Sequence, residues 1–271
     1  MSLNYSQYLP KCLLVNYIWS MKTNKHHLFT FLIFCLLLIS CENKSQLTFE
    51  SLKFTNDSCA DCPRISIDIP NALDNSKIDA AINTAIKEEL ISLLNFDEEI
   101  EVSTIVEAIT SFNNGYFDLK KMFPDENVEW ETEINGEVTY ENKDIISIQL
   151  HSYMFTGGAH GYNSVRFLNF DKKKGNELEN WELFKDSGHF MKFAEIKFRI
   201  QEKIPQDDPI NNTGFMFENE AFYLPENIGF TKEGLQLRYN QYEVASYADG
   251  PIVLILPYNE VKNYLSVKIK P

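Results

Sequence analysis

Two alternating runs open the patterned part of the chain. Leu47-Thr-Phe-Glu-Ser-Leu-Lys-Phe54 and Arg64-Ile-Ser-Ile-Asp-Ile69 interleave apolar and polar positions, the period of a strand with one buried face. The period then lengthens. Ile78, Ala81, Ile82, Ala85, Ile86, Ile91 and Leu94 largely follow helical spacing, so a helix is predicted from a cap at Asp74 or Asn75 to about Leu94. A second helical stretch is predicted through Ile100, Ile105, Ile109 and Phe112, despite the β-branched residues between Val102 and Val106.

After Pro124 the period returns to two. Val128–Ile134 and Glu137–Tyr140 flank Asn135-Gly136, which predicts a hairpin. Ile145–Phe155 reads as a long strand and Ser164–Phe170 as its return. Between them lies the stretch "YMFTGGAHGYNS", residues 153–164. Phe190, Phe193, Ile196, Phe198 and Ile200 predict a helix from about His189 to Ile204, ended by Pro205. Ala221–Leu224, Ile228–Thr231, Leu235–Tyr239 and Ile252–Leu256 read as further strands, and Pro257–Leu265 as a short last helix. Helices interspersed with hairpins predict an α+β protein, antiparallel sheets with packed helices. Two subdomains, 47–142 and 143–271, are expected to meet near residue 142.

The N-terminal residues add a location. Lys22 and Lys25 precede Leu28–Ile39, a run apolar but for Thr30. Twelve helical residues span about 18 Å, short of the roughly 30 Å hydrocarbon core, so residues 21–40 read as a signal peptide. Leu38-Ile39-Ser40-Cys41 resembles the bacterial lipobox, which makes Cys41 the expected lipidated residue, 41–46 a tether, and 1–20 an upstream extension ahead of Met21. The expected location is exported, held on a bacterial membrane and facing periplasm or exterior. Beyond residue 40 the charge is lopsided. Three of the 25 basic residues lie upstream, leaving 22 against 39 acidic ones, net −17. Such a surface repels nucleic acid and anionic lipid and attracts cationic proteins. In the oxidising compartment that export implies, Cys59 and Cys62 are expected to form a disulfide. A thioredoxin-type site would open a helix, whereas a strand pattern follows here.

Candidate chemistry is sparse. The glycine loop lacks the lysine and Ser/Thr of a P-loop, and no helix pattern follows it. Gly157 and Gly158 suit a connection that needs positive φ, and Gly161 suits a close backbone approach. His160 among them places an imidazole at a sheet edge, where it either pins the loop or meets a ligand. The sequence has no Gly-x-Ser-x-Gly elbow and no His-Glu-x-x-His helix. His151 and His160 are staggered rather than at ligand spacing, so neither a metal site nor a cofactor is predicted, and no catalytic residue is assigned. Tyr239, Tyr242, Tyr247, Tyr258 and Tyr264 crowd the C-terminal part, while Tyr153 and Tyr162 flank the glycine loop. Tyrosine combines large apolar area with one polar tip, which suits a half-wet contact surface. Tyr153, Gly157, Gly158, His160, Tyr162, Tyr242 and Tyr247 form the candidate binding surface.

The order of "YMFTGGAHGYNSVRFLNFD", "LENWELFKD" and "IGFTKEGLQLRYNQYEVASYADGPIVLILPYNEVKNYL" resembles a bacterial extracytoplasmic family of unknown biochemical activity. That family forms the external part of the lysozyme-sensing anti-sigma factor RsiV and the non-catalytic part of the peptidoglycan deacetylase PdaC. The likeness covers residues 145–265, with 47–142 resembling the companion half less distinctly. It implies an α+β envelope domain linked with the cell wall and, in one branch, with lysozyme binding. The sequence lacks the Thr-Phe-Asp-Asp-Gly motif of the deacetylase, so that activity is not carried over. The expected function is a lipid-anchored binding or sensing protein whose partner is a lysozyme-like or other cationic protein, or cell-wall glycan. An envelope enzyme acting on peptidoglycan and a passive structural tether are the competing readings.

Overall fold

In the computed structural model, β1 (Phe49–Thr55) and β2 (Arg64–Ala72) pair antiparallel, with Leu52 opposite Ile69 and Phe54 opposite Ile67. The structure describes residues 46–269 other than 58, 98 and 126–128. The upstream extension, the signal peptide, Cys41 and most of the expected tether lie outside the described residues. In the β1–β2 connection Cys59 and Cys62 are joined by a disulfide.

Helix α1 (Lys77–Leu94) starts one residue beyond the expected caps. Ser76 accepts from the backbone N–H of Asp79, and the Asp79 carboxylate accepts from the N–H of Ser76 (2.8 Å), so two orphan donors are satisfied reciprocally. Asp74 serves a different end, accepting from the N–H of Thr48. Helix α2 (Ile105–Met122) begins with the same device built from Thr104 and Glu107. That box fixes the start, so Ile100 and Val102 lie ahead of the helix rather than in it.

The hairpin expected around Asn135-Gly136 is absent. Residues Glu131–Glu141 form one unbroken strand, β3, with Asn135 and Gly136 in its interior. It lies parallel to β2, Ile67 opposite Ile134, because two helices intervene and carry the chain back to the same end. It lies antiparallel to β4 (Ile145–Phe155) on its other side. Gly136 permits close packing here: a Cβ would stand 2.6 Å from Pro70 Cδ and 2.9 Å from Leu150 Cδ2. Strands on both flanks pair with this segment, β2 as far as Asn135 and β4 through Gly136 and beyond, and that pairing overrides the local turn preference. Apart from β2–β3, every strand pair is antiparallel.

Strands β5 (Tyr162–Asp171) and β6 (Asn176–Glu177) complete a sheet in the order β1-β2-β3-β4-β5-β6. Its helix-covered face buries Ile67, Ile134, Ile148, Leu168 and Phe170 against α1 and α2, with Trp130 closing one end among Phe96, Phe112 and Tyr116. The other face receives a second sheet, β7 (Asn227–Phe230), β8 (Leu235–Tyr239) and β9 (Ile252–Leu256), in that order. With α3 (Ser187–Glu202) and the short α4 (Tyr258–Val261), this sheet encloses a core rich in phenylalanine. Ala221–Leu224, expected as a strand, makes no ladder. Its Phe222 instead packs against Phe198 and Tyr239 in that core.

Polar side chains join the two sheets. The unpaired edge of β7 finds its partners on β3, β4 and β5. Asn169 Nδ2 donates to the carbonyl of Ile228 (2.7 Å), the N–H of Phe230 donates to Ser147 Oγ (3.1 Å), and Thr139 Oγ1 donates to the carbonyl of Phe230 (2.7 Å). Three backbone groups on that buried edge are thus answered by side chains of the larger sheet. The expected boundary near residue 142 falls in the β3–β4 turn, where the six-stranded sheet is continuous. The two hydrophobic cores lie on opposite faces of that sheet. Among the described residues no helix is long and apolar enough to cross a membrane.

Candidate binding surface at the glycine loop

The β4–β5 connection turns through Gly157 (φ 106°) and Gly158 (φ 89°), a backbone that side-chain-bearing residues rarely adopt. Gly161 then lies against the ring of Tyr153, which a Cβ would approach to 2.4 Å. Tyr162 opens β5 and is 41% exposed. Burial and the nearby carboxylate of Glu243 raise its phenol above the ordinary value.

The loop after β8 is fastened to this strand by three polar residues. Asn240 lies along the open edge of β5 as a neighbouring strand would. Its Oδ1 accepts from the N–H of Val165 (3.0 Å) and its Nδ2 donates to the carbonyl of Val165 (3.1 Å). Gln241 Oε1 accepts from the N–H of Asn163 (3.3 Å), and its backbone carbonyl accepts from Tyr162 Oη (3.4 Å). The Glu243 carboxylate accepts from the N–H of Asn240 within the loop (2.8 Å) and from that of Glu226, just ahead of β7 (3.4 Å). Burial raises the Glu243 carboxyl above its ordinary value, against the pull of those donors.

So fastened, the two loops bring their aromatic residues together. The His160 imidazole lies flat on Tyr247, ring centroids 3.6 Å apart and planes 16° from parallel. Its Nε2 stands 3.3 Å from Tyr242 Oη. Tyr247 Oη donates to the carbonyl of Gly161 (3.1 Å), so the tyrosine braces the glycine loop from beneath the histidine. Tyr242 occupies the left-handed region at φ 68° and is 55% exposed. A bulky side chain in that backbone costs about 1–2 kcal/mol and persists only where its surroundings dictate it. Here Asn240, Gln241 and Glu243 do so.

All seven residues expected at a surface thus lie at one end of the six-stranded sheet. His160, Tyr242 and Tyr247 are in mutual contact, Tyr153 supports them under Gly161, and Tyr162 reaches the second loop through Gln241. Cys59 and Cys62 are at the same end of the sheet, two strands away. His151 and His189 are apart from this cluster, His189 meeting Tyr264 edge-on. Among the described residues no group of three or more His, Cys, Asp or Glu is placed to hold a metal ion. Asn240, Gln241 and Glu243 escaped the sequence reading, although they stand within "YNQYEVASYADG". Their signal was an Asn-Gln pair directly after a strand, where amide side chains can satisfy a neighbouring backbone.

Residues 57–163 match the family model described as Deacetylase PdaC, and residues 181–259 match that of a protein family of unknown function, DUF3298. The two matched segments follow one another along the chain. A crystal structure of a DUF3298 family member from Bacteroides fragilis superposes with a TM-score of 0.64 at 18% identity, covering 82% of this chain and 94% of the other. A DUF3298 family protein from Pseudomonas aeruginosa gives 0.58 at 21% identity, covering 82% and 95%. Comparison with curated proteins returns no match. The two matched segments meet at the aromatic cluster: Tyr153, Gly157, Gly158, His160 and Tyr162 fall within the first, Tyr242 and Tyr247 within the second.

Proposed function

We propose that this chain is a lipid-anchored recognition module of the bacterial cell envelope. On this reading it binds a cationic protein of the lysozyme kind through the surface formed by His160, Tyr162, Tyr242 and Tyr247. The observation that carries the reading is Tyr242, an exposed aromatic residue held at positive φ by partly buried polar contacts of its neighbours. A fold that needed only to close this loop would place glycine there at lower cost. Loops held on a rigid sheet are common carriers of recognition, and preorganised aromatic rings lose little entropy on binding. A net charge of −14 over the full chain favours encounter with a cationic partner. The description Deacetylase brings no activity to this chain, because its sequence offers no deacetylase motif to which the reaction could be assigned.

The test is calorimetric titration of the purified chain with a lysozyme, repeated for Tyr242→Ala. Saturable binding that weakens with salt and drops at least tenfold in the variant is the expected result. Absence of binding by the unaltered chain overturns the cationic-protein reading. Incubation with purified peptidoglycan, followed by mass analysis of fragments and acetyl groups, tests the enzymatic alternative, and an unchanged polymer is expected.

A further inference from the structure

The end of the sheet opposite the glycine loop carries the reverse charge. A cavity of about 710 Å³ opens there, and Lys143, Lys185, Lys262 and Lys268 line it, with Asp144 the one carboxylate among the described residues of its walls. Lys143 comes from the β3–β4 turn, Lys185 from the approach to α3, Lys262 from the end of α4, and Lys268 from the C-terminal segment. All four are exposed. Lys185 Nζ donates to the carbonyl of Asn263 (2.9 Å). Among the described residues Lys143, Lys262 and Lys268 have no carboxylate within ion-pair distance. Asp144 makes its close ion pair with Lys173 at 2.5 Å and acts on Lys143 and Lys268 only at longer range, so it offsets the four lysines in part. The Lys173 ammonium beside it holds that carboxyl below its ordinary value and therefore ionised at neutral pH. Four lysines converging on one cavity run against the composition of a chain in which acids outnumber bases 39 to 25.

The chain enters the fold at this same rim. The N–H of Leu47 donates to Glu141 Oε1 (2.8 Å), and the next residue, Asn142, lines the cavity and donates through Nδ2 to the carbonyl of Lys268 (3.0 Å). Cys41 lies six residues before Leu47, a reach of at most about 20 Å for extended chain. The His160 loop follows the far end of β4, whose 11 residues span about 35 Å. A lipid on Cys41 would therefore set the lysine rim against the bilayer and direct the aromatic surface away from it.

We infer that the cavity lined by Lys143, Lys185, Lys262 and Lys268 is a docking site for the phosphate headgroups of anionic phospholipid, which orients the anchored domain on its membrane. The inference rests on the proposed anchor at Cys41. It also refines what net charge implies, since repulsion from anionic lipid holds for the molecule as a whole and is reversed on this one face. Each lysine near an anionic surface strengthens attachment about fivefold, so the site is an orienting contact and the lipid remains the anchor.

The decisive experiment is sedimentation of the exported chain carrying Cys41→Ala with vesicles of phosphatidylcholine, alone or mixed with phosphatidylglycerol. Partitioning to the mixed vesicles only, lost at about 0.5 M salt, is expected. Combined Lys143→Gln, Lys262→Gln and Lys268→Gln should lower it about a hundredfold with an unchanged melting curve. Equal partition to both vesicles, or indifference to the three substitutions, overturns the site. Titration with inorganic pyrophosphate separates the sources of phosphate: tight binding without vesicle binding assigns a soluble ligand and overturns membrane docking. The anchor is tested separately in cells at high salt. If the unaltered chain stays with membranes and Cys41→Ala is released, the anchor stands and vesicle indifference defeats the lysine site alone. Retention of Cys41→Ala at high salt defeats the anchor and the inference with it.

Discussion

The two ends of the six-stranded sheet treat their polar groups in opposite ways. At the glycine-loop end, Asn240, Gln241 and Glu243 spend their side chains on backbone groups of β5 and of their own loop, and Tyr247 spends its hydroxyl on Gly161. What is left exposed there is aromatic: the rings of Tyr162 and Tyr242 with the stacked imidazole of His160. At the β3–β4 turn end the side chains pair with one another, Lys172 with Glu141 in a buried pair and the exposed Lys173 with the buried Asp144, and what is left exposed is charge. Internal polar contacts cost little where they replace water and rigidify a loop, so they shape a surface. Unpaired lysines add nothing to the fold, so their clustering calls for a partner outside it.

That contrast breaks most visibly at the anchor. Cys41→Ala should move the protein from the membrane to the soluble fraction at high salt, because several acyl chains at about 0.8 kcal/mol per methylene far outweigh any headgroup contact. Fractionation and immunoblotting read this directly. At the aromatic end the largest effect should come from a polar residue. Asn240→Ala leaves the N–H and C=O of Val165 without their partner and frees the loop, with an expected loss of about 2 kcal/mol in denaturant unfolding and of most lysozyme affinity. Tyr242→Gly separates shape from contact. It relieves the left-handed strain, so stability should hold or rise by up to about 1 kcal/mol, while affinity falls by about 2 kcal/mol if the ring is a binding anchor. A drop in stability instead would make Tyr242 a structural plug. The smallest effect belongs to the lysine rim. Its three glutamine substitutions should change unfolding free energy by no more than about 0.5 kcal/mol, and a larger loss would show those charges to be structural.

Much of the architecture was legible because burial imposes a period. Ile145–Phe155 reads as a strand and is one over those very residues, and the regular recurrence of Ile78, Ile82 and Ile86 predicts a helix that forms. Failures occurred where a local preference met a tertiary demand. Asn135-Gly136 carries a strong turn signal, yet β2 and β4 both pair with that segment, and the glycine serves interstrand packing instead. Ala221–Leu224 carries strand-forming residues but pairs with no strand, and its Phe222 fills a core instead. The tyrosines of the candidate surface were visible as residues. Their fastening by Asn240, Gln241 and Glu243 was not, since an amide side chain gives no sign in sequence of which backbone it will meet.

By itself the sequence determined the α+β class, the positions of most strands and helices, the excess of acidic groups, and a list of aromatic residues beside a glycine loop. These are local or summed properties, set by the spacing of apolar residues and by composition. Only the tertiary structure decided that His160 stacks on a tyrosine 87 positions later, that β2 and β3 run parallel, and that four lysines scattered between positions 143 and 268 share one cavity. Those juxtapositions depend on which strand edges pair and which faces pack. Pairing and packing are settled by the whole chain at once, because each buried surface and each backbone donor must find its partner somewhere in the same fold.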